Sequence, residues 1–421
     1  MNLIEICKEL FPIYRSITGE GVRKSIDILS KYVKFKKIEV LSGTKVYDWI
    51  IPEEWNIKEA YIQDFETKDI LISIKDSNLH LVSYSTPINK IMNFNELKKH
   101  LFYLKEQPNA IPYVTSYYKK NWGFCVTYEQ YISISKIKKF KIVIKSNFNK
   151  KGSLTYGEFI KRGSSKKEVL LTSYICHPQM CNNELSGPVV LTKVASLIAE
   201  KRDLKHTYKF LLVPETIGAI TYINKNISNL KRNLIAGFVL TCVGDEKIYS
   251  YIPTRNGNKY SDNILDYVIK NYTNNNYKIY SWLDRGSDER QFSSPGVDLP
   301  VSTFTKSKFG EYPQYHTSLD DFTVISEKGL NESADLILKC IDIIETNCFP
   351  KIKCLCEPQL GKRNLYPTVS TVKSGLSVRD LMNFISYCDG TKTILDIAQI
   401  IDVDYFICLN YYEKLKKEDL V

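Results

Sequence analysis

Residues 168–188 read EVLLTSYICHPQMCNNELSGP. The first part, 168–176, is a continuous apolar run. It breaks at His177 and Pro178, passes through the polar cluster Asn182, Asn183 and Glu184, and reopens at Gly187 into GPVVLTKVASLIAEKR (187–202), whose Val, Leu and Ile recur at helical spacing. A second apolar run, YKFLLVP (208–214), follows. Apolar runs without alternation, joined through a helix, predict parallel strands buried on both faces. IAGFVLTCV (235–243) and VDLPVSTF (297–304) repeat the pattern, with helices expected at 259–275 and 325–346. Residues 151–350 therefore read as an α/β domain with a mostly parallel sheet flanked by helices.

The flanking grammar differs. Residues 1–40 open with two amphipathic helical segments separated by RSITGEG (15–21), which supplies stop and start residues. From 41 to 150, segments such as EAYIQD, DILISIKD, LHLVSYS and FKIVIKSNF alternate and are rich in β-branched and aromatic residues. They predict an inserted β-rich domain. After Pro350 a stretch CEPQLGKRNLYPTVS (356–370) reads as a linker, and 351–421 as a small winged-helix-like module.

The chain has 421 residues, 43% hydrophobic and 25% charged, as expected of a globular protein of more than one domain. The start has no uninterrupted apolar stretch of membrane-spanning length, and the 11 cysteines form no disulfide framework, so a cytoplasmic location without membrane contact is expected. The net charge of +11 invites a nucleic-acid reading. However, residues 351–421 carry 10 Lys and Arg against 9 Asp and Glu, and Asp396, Asp402 and Asp404 fall where a recognition helix would meet phosphate. This module is expected to dock on its own catalytic domain, a second copy or a protein partner, with no nucleic acid bound.

Ligands of open α/β sheets bind beyond the carboxyl ends of the strands. There the sequence places His177, Glu215 and Asp245 after successive runs, and His316 in EYPQYHTSLDD after the last. Each has a plain structural reading as a capping or hydrogen-bonded residue. Together, two imidazoles and several carboxylates at one sheet edge suit Zn²⁺, with a spare Glu to take a proton from water.

The motifs YICHPQMCNNELSGP, VPETIG, CVGDEKIYSYIPTRNG, GSDERQF and YHTSLDD, with LFPIYRSITGEG at the start, resemble those of bacterial aminopeptidase-like proteins. Members of that family join a zinc-peptidase fold, an inserted β-rich domain and a C-terminal winged helix, and are often named for polysaccharide biosynthesis. The resemblance implies that His177 and His316 are metal ligands, Asp245 a carboxylate ligand and Glu215 the general base. It also implies a departure: the bridging Asp of co-catalytic zinc aminopeptidases is Asn183 here, and their paired acids are Glu215-Thr216. Either Glu184 supplies the missing carboxylate or the site holds one zinc ion, and Glu215 is open as base or ligand. Arg255, Asn256, Arg285 and Asp288 are candidates for binding substrate, and Tyr315 for donating to an oxyanion. The expected activity is zinc-dependent amide hydrolysis on a small peptide or an acylamino sugar. The alternative is a non-catalytic binding or scaffold descendant of the fold.

Overall fold

The computed structural model describes residues 1–365 and 372–421. They form two units, Met1–Ile337 and Leu338–Val421.

The first unit is built on an eight-stranded sheet in the order Lys36–Leu41, Ser153–Lys161, Thr207–Val213, Glu168–Tyr174, Leu234–Leu240, Val301–Thr305, Tyr249–Ile252, Tyr277–Ile279. The middle four strands are parallel. Glu168–Tyr174 and Thr207–Val213 are buried at every residue, which is why they read as continuous runs. The sheet is mixed, with four of its seven strand pairings parallel. Lys36–Leu41 and Ser153–Lys161 run antiparallel to their neighbours, as does Tyr249–Ile252 against Val301–Thr305.

The chain leaves this sheet after Leu41 and returns at Ser153, and those two residues face each other across the edge ladder. Between them a separate four-stranded antiparallel sheet forms, in the order Ile70–Ser73, Glu54–Asp64, Lys139–Asn149, Ile88–Asn93. Its alternating residues Ala60, Ile62, Phe140, Ile142 and Ile144 face a core with Trp55. Arg23 ties the helix Glu20–Leu29 to this sheet, forking onto Glu54 at 3.0 and 2.6 Å.

The helix Leu3–Leu10 buries Leu3, Ile6, Cys7 and Leu10, one face at helical spacing. Its free N–H groups are met by Asn2 and by the Glu327 carboxylate, which accepts from Leu3 and Ile4 at 2.9 and 2.8 Å.

The second unit packs Val372–Ser386, Ile394–Ile401 and Tyr405–Lys417 around Phe384, Ile394, Ile397, Tyr405 and Leu415. Asp396 completes a capping box with Thr393, and Asp404 caps the last helix. Residues 366–370 of the expected linker lie outside the described residues. Among the described residues no helix is long and apolar enough to cross a membrane.

Two outcomes follow from the edge of the sheet. A chain beginning at residue 150 lacks Lys36–Leu41, the partner of Ser153–Lys161, and should stay unfolded by far-UV circular dichroism; a cooperative melt of that fragment would contradict this. The Arg23 fork, more than any other group, holds the Glu54 carboxyl down at about 2. A depressed carboxyl stabilises the fold above its unfolded pKa of about 4.3, and that contribution fades as pH falls towards 2. Glu54→Gln should therefore cost about 1–3 kcal/mol at pH 7. In urea melts, the gap to the parent protein should narrow steadily below pH 4.5.

Candidate active site at the carboxyl ends of the central strands

The loop after Glu168–Tyr174 is held in an unusual path. Gln179 and Met180 have φ of +46° and +52°, and residues Cys181–Leu185 form one wide π turn before the helix Ser186–Glu200. Asp320 anchors the turn: its carboxylate accepts from the Asn182 and Asn183 amides at 2.7 and 2.9 Å, and its carbonyl from Cys181. Burial pushes the Asp320 carboxyl up to about 6 against the pull of those donors. Gly187 is required by close approach, because a Cβ there would lie 2.3 Å from Ser173 Oγ and 2.4 Å from the Leu240 carbonyl oxygen.

This path sets His177. Its Nδ1 lies 2.9 Å from Glu184 Oε2, so Nε2 is the nitrogen left for the site, 3.5 Å from Glu215 Oε2. Behind it Arg15, from the N-terminal segment, pairs with Glu184 at 3.4 Å and donates to the His177 carbonyl at 2.9 Å. The Arg15 and Glu184 side chains have 0% exposure. Burial opposes charge on His177, but Cys176 and Glu184 outweigh it and raise its pKa well above the ordinary value.

Glu215 follows Thr207–Val213. The next residue, Thr216, is β-branched with φ +64°, a strained conformation held from outside. Its amide donates to Asp288 at 2.7 Å and its hydroxyl accepts from Arg290 at 2.7 Å. Burial raises the pKa of Glu215, and burial with the nearby Glu215 raises that of Asp288 further. His316 also has a positive φ, +55°, and its carbonyl accepts from the Tyr113 amide at 2.8 Å. The two imidazole centroids are 5.6 Å apart, with Tyr113 edge-on to both. Burial, and then the charge of His177, push His316 down to about 3. The two imidazoles are thus shifted in opposite directions.

His177, Glu215 and His316 line one cavity of about 440 Å³, closed on one side by Trp49, Tyr113, Tyr117 and Tyr118 from the inserted segment. Among the described residues, the set of three metal-binding side chains with ligand atoms within 4.8 Å of one another is Cys176, His177 and Glu184. Burial raises the Cys176 thiol to about 11, and it accepts from the Glu215 amide.

The other expected residues are placed differently. Asp245 does not join the cluster: its carboxylate accepts from Lys247, Asn182 and Ser307 at 2.9, 3.2 and 3.0 Å, bonds that fix three loops to one another. Glu184 sits at Nδ1 of His177, behind the ring, where it orients the imidazole. Asp288 holds the Thr216 turn. Arg255 is exposed and paired with Asp298, Asn256 is exposed, and exposed Arg285 bonds to the Trp282 carbonyl over that ring. None of these three lines the cavity. Tyr315 stacks on His316 at 3.9 Å. Sequence reading missed Arg15, Arg290, Tyr113 and Trp49. Of these, only Arg15 carried a signal, a cation inside an apolar motif.

The Arg15–Glu184 pair makes a test by double substitution. Arg15→Met leaves a buried carboxylate uncompensated and should cost about 3–5 kcal/mol in urea unfolding. Adding Glu184→Gln should recover part of that loss. Full additivity of the two single effects would mean the pair does not interact.

Comparison with known proteins agrees with this geometry. Residues 4–347 match the family described as "Domain of unknown function (DUF4910)", and residues 348–421 match a winged helix-turn-helix family. A Clostridium acetobutylicum protein named "Putative polysaccharide biosynthesis protein with aminopeptidase-like domain" is 43% identical over 400 residues, covering 94% of this chain and 90% of that one. A crystal structure of a "putative peptidase" from Clostridium acetobutylicum superposes with a TM-score of 0.92 at 39% identity, over 99% of this chain and 95% of that one. A zinc aminopeptidase from Bacillus subtilis superposes with a TM-score of 0.59 at 12% identity, over 82% and 94%. The last likeness is one of fold: the first unit has the zinc-aminopeptidase fold. Over residues 4–347 the chain belongs to the DUF4910 family.

Proposed function

We propose that this protein is a zinc-dependent hydrolase of amide bonds, of aminopeptidase type. The observation that carries the reading is the meeting of His177 Nε2, Glu215 and His316 in one aromatic-walled cavity at the carboxyl ends of the central strands. The donors fit one zinc ion: two imidazoles, one with its second nitrogen engaged by a carboxylate as zinc-binding histidines usually have, and a carboxylate beside them. They fit a second ion less well: Asp245 already accepts from three N–H donors, and Asn183, whose buried Oδ1 has no hydrogen-bond partner, brings no charge. Zinc, when bound, supplies a positive charge that polarises a carbonyl and acidifies water.

The chain's own residues supply the rest. His177, oriented by Glu184 and Arg15, and His316, held by Tyr113, are the ligands. Glu215, its pKa raised by burial, accepts a proton from the attacking water and passes it to the leaving amine. Asp288 and Arg290 fix the strained Thr216 turn and so aim Glu215. Tyr113, Tyr117 and Trp49 exclude bulk water, which strengthens each charge interaction in the cavity. A second reading of Glu215 has an observation of its own: the 3.5 Å between its Oε2 and His177 Nε2 is also close to the spacing of two ligands on one tetrahedral zinc.

One preparation separates these roles. The parent protein should retain one zinc equivalent, and His177→Ala/His316→Ala should abolish it with far-UV circular dichroism unchanged. Glu215→Gln should keep the metal and lower amide hydrolysis by roughly 10²–10⁴-fold. Loss of zinc in that variant makes Glu215 a ligand, while unchanged metal and unchanged turnover refute both roles.

A further inference from the structure

A second cavity of about 420 Å³ lies beside the first, on the inserted segment. Tyr118 lines both, so the two spaces adjoin at that residue. The outer cavity is walled by Tyr84, Phe148, Pro52 and Pro87, and its charged groups are Lys119, Lys120 and Glu53.

Its rings are fixed in place. Tyr84 and Tyr118 have φ of +67° and +62°, values that bulky residues adopt only when their surroundings impose them. The Tyr84 hydroxyl lies 2.5 Å from Thr18 Oγ1 and donates to the Glu53 carbonyl, and the Tyr118 hydroxyl donates to the Ile50 carbonyl at 3.0 Å. Tyr84 stacks on Trp55 at 5.6 Å and meets the edges of Tyr117 and Phe148 at 5.2 and 5.9 Å. Trp49 meets Tyr118 edge-on at 5.7 Å. Tyr117 and Trp49 belong to the catalytic cavity, so one run of aromatic contacts joins the two spaces.

Charge decides what this outer cavity takes. Lys119 and Lys120 are exposed, and among the described residues neither ammonium pairs with a carboxylate. With Glu53 on the same wall, the cavity has an excess of one positive charge. That balance suits a monoanion on an apolar or ring-faced chain, and Glu53 repels a dianion such as a phosphate monoester.

We propose that the outer cavity is a binding subsite for the carboxylate-bearing end of the substrate, whose scissile amide lies in the inner cavity. The proposal rests on the amide-hydrolase reading of the inner cavity and deepens it. The substrate class is a short chain with an apolar group and a free carboxylate within one unit of the bond that is cut.

Binding to the full-length Glu215→Gln variant tests this without turnover. The probes are phenylalanyl-phenylalanine, its C-terminal amide and phenyl phosphate, titrated by calorimetry at low and high salt. The free dipeptide should bind about 5-fold more tightly than the amide at low salt, the sum of two exposed charge contacts. That advantage should vanish in Lys119→Ala/Lys120→Ala and shrink at high salt. Equal binding of acid and amide overturns the subsite, as does an advantage that survives loss of both lysines. Tighter binding of phenyl phosphate than of the dipeptide overturns its assignment to a carboxylate. Absence of hydrolysis by the parent protein, with the acid preference intact, would refute the hydrolase reading alone and leave the subsite standing.

Discussion

An arginine and a glutamate with no exposed side-chain surface stand behind His177, and the site depends on them. Taking both charges out of water costs several kcal/mol each, which their attraction offsets only if both are in place with good geometry. Arg15 comes from the first turn of chain after the opening helix, Glu184 from the loop that carries His177. The pair therefore joins the two ends of a segment more than 160 residues long, and the complete site includes the N-terminal segment. Once made, it fixes the imidazole twice, through Glu184 on Nδ1 and through Arg15 on the backbone carbonyl.

Around this pair lie five of the sixteen non-glycine residues that have positive φ among the described residues. Gln179, Met180, Thr216, Cys242 and His316 all have positive φ, and each sits in a loop at the carboxyl end of the sheet. Such conformations cost of order 1–3 kcal/mol apiece and persist only when over-determined. The restraint comes largely from buried acids: Asp320 on the 181–183 amides, Asp288 on Thr216, Asp245 across three loops. A carboxylate that accepts two or three backbone and amide N–H groups is a strong and directional anchor. Acids at this rim thus divide into those that hold the loops and two with an oxygen turned to His177, Glu184 behind the ring at Nδ1 and Glu215 on the cavity side at Nε2.

That division explains which parts of the site were legible in the sequence. The strands were, because burial on both faces makes them continuous apolar runs, and residues immediately beyond the runs are placed by the fold. His177, Glu215 and His316 come together for that reason. Asp245 shares the same sequence signature as Glu215, yet its oxygens are consumed by amides from 182, 247 and 307, contacts no local pattern encodes. The antiparallel edges of the sheet were illegible too, since alternation in KKIEVL does not say which neighbour the strand will find. Nor does a Trp or Tyr in a β-rich stretch announce that it will close a cavity formed by loops about 60 to 270 residues away.

The inserted segment is what makes the cavity more than a rim of polar side chains. Its two ends are pinned at one point on the main sheet, Leu41 against Ser153, and Arg23 clamps its first long strand through Glu54. Tyr113 binds the His316 backbone directly, so the aromatic wall and the second imidazole are set by one contact. An insertion attached at a single edge would be free to swing. Held at the edge ladder, at Arg23 and at His316, it has three points of attachment, which define a fixed wall. The width of the cavity, and with it the size of the group that reaches Glu215, is then a property of the insertion, while His177, Glu215 and His316 are placed by the loops of the sheet.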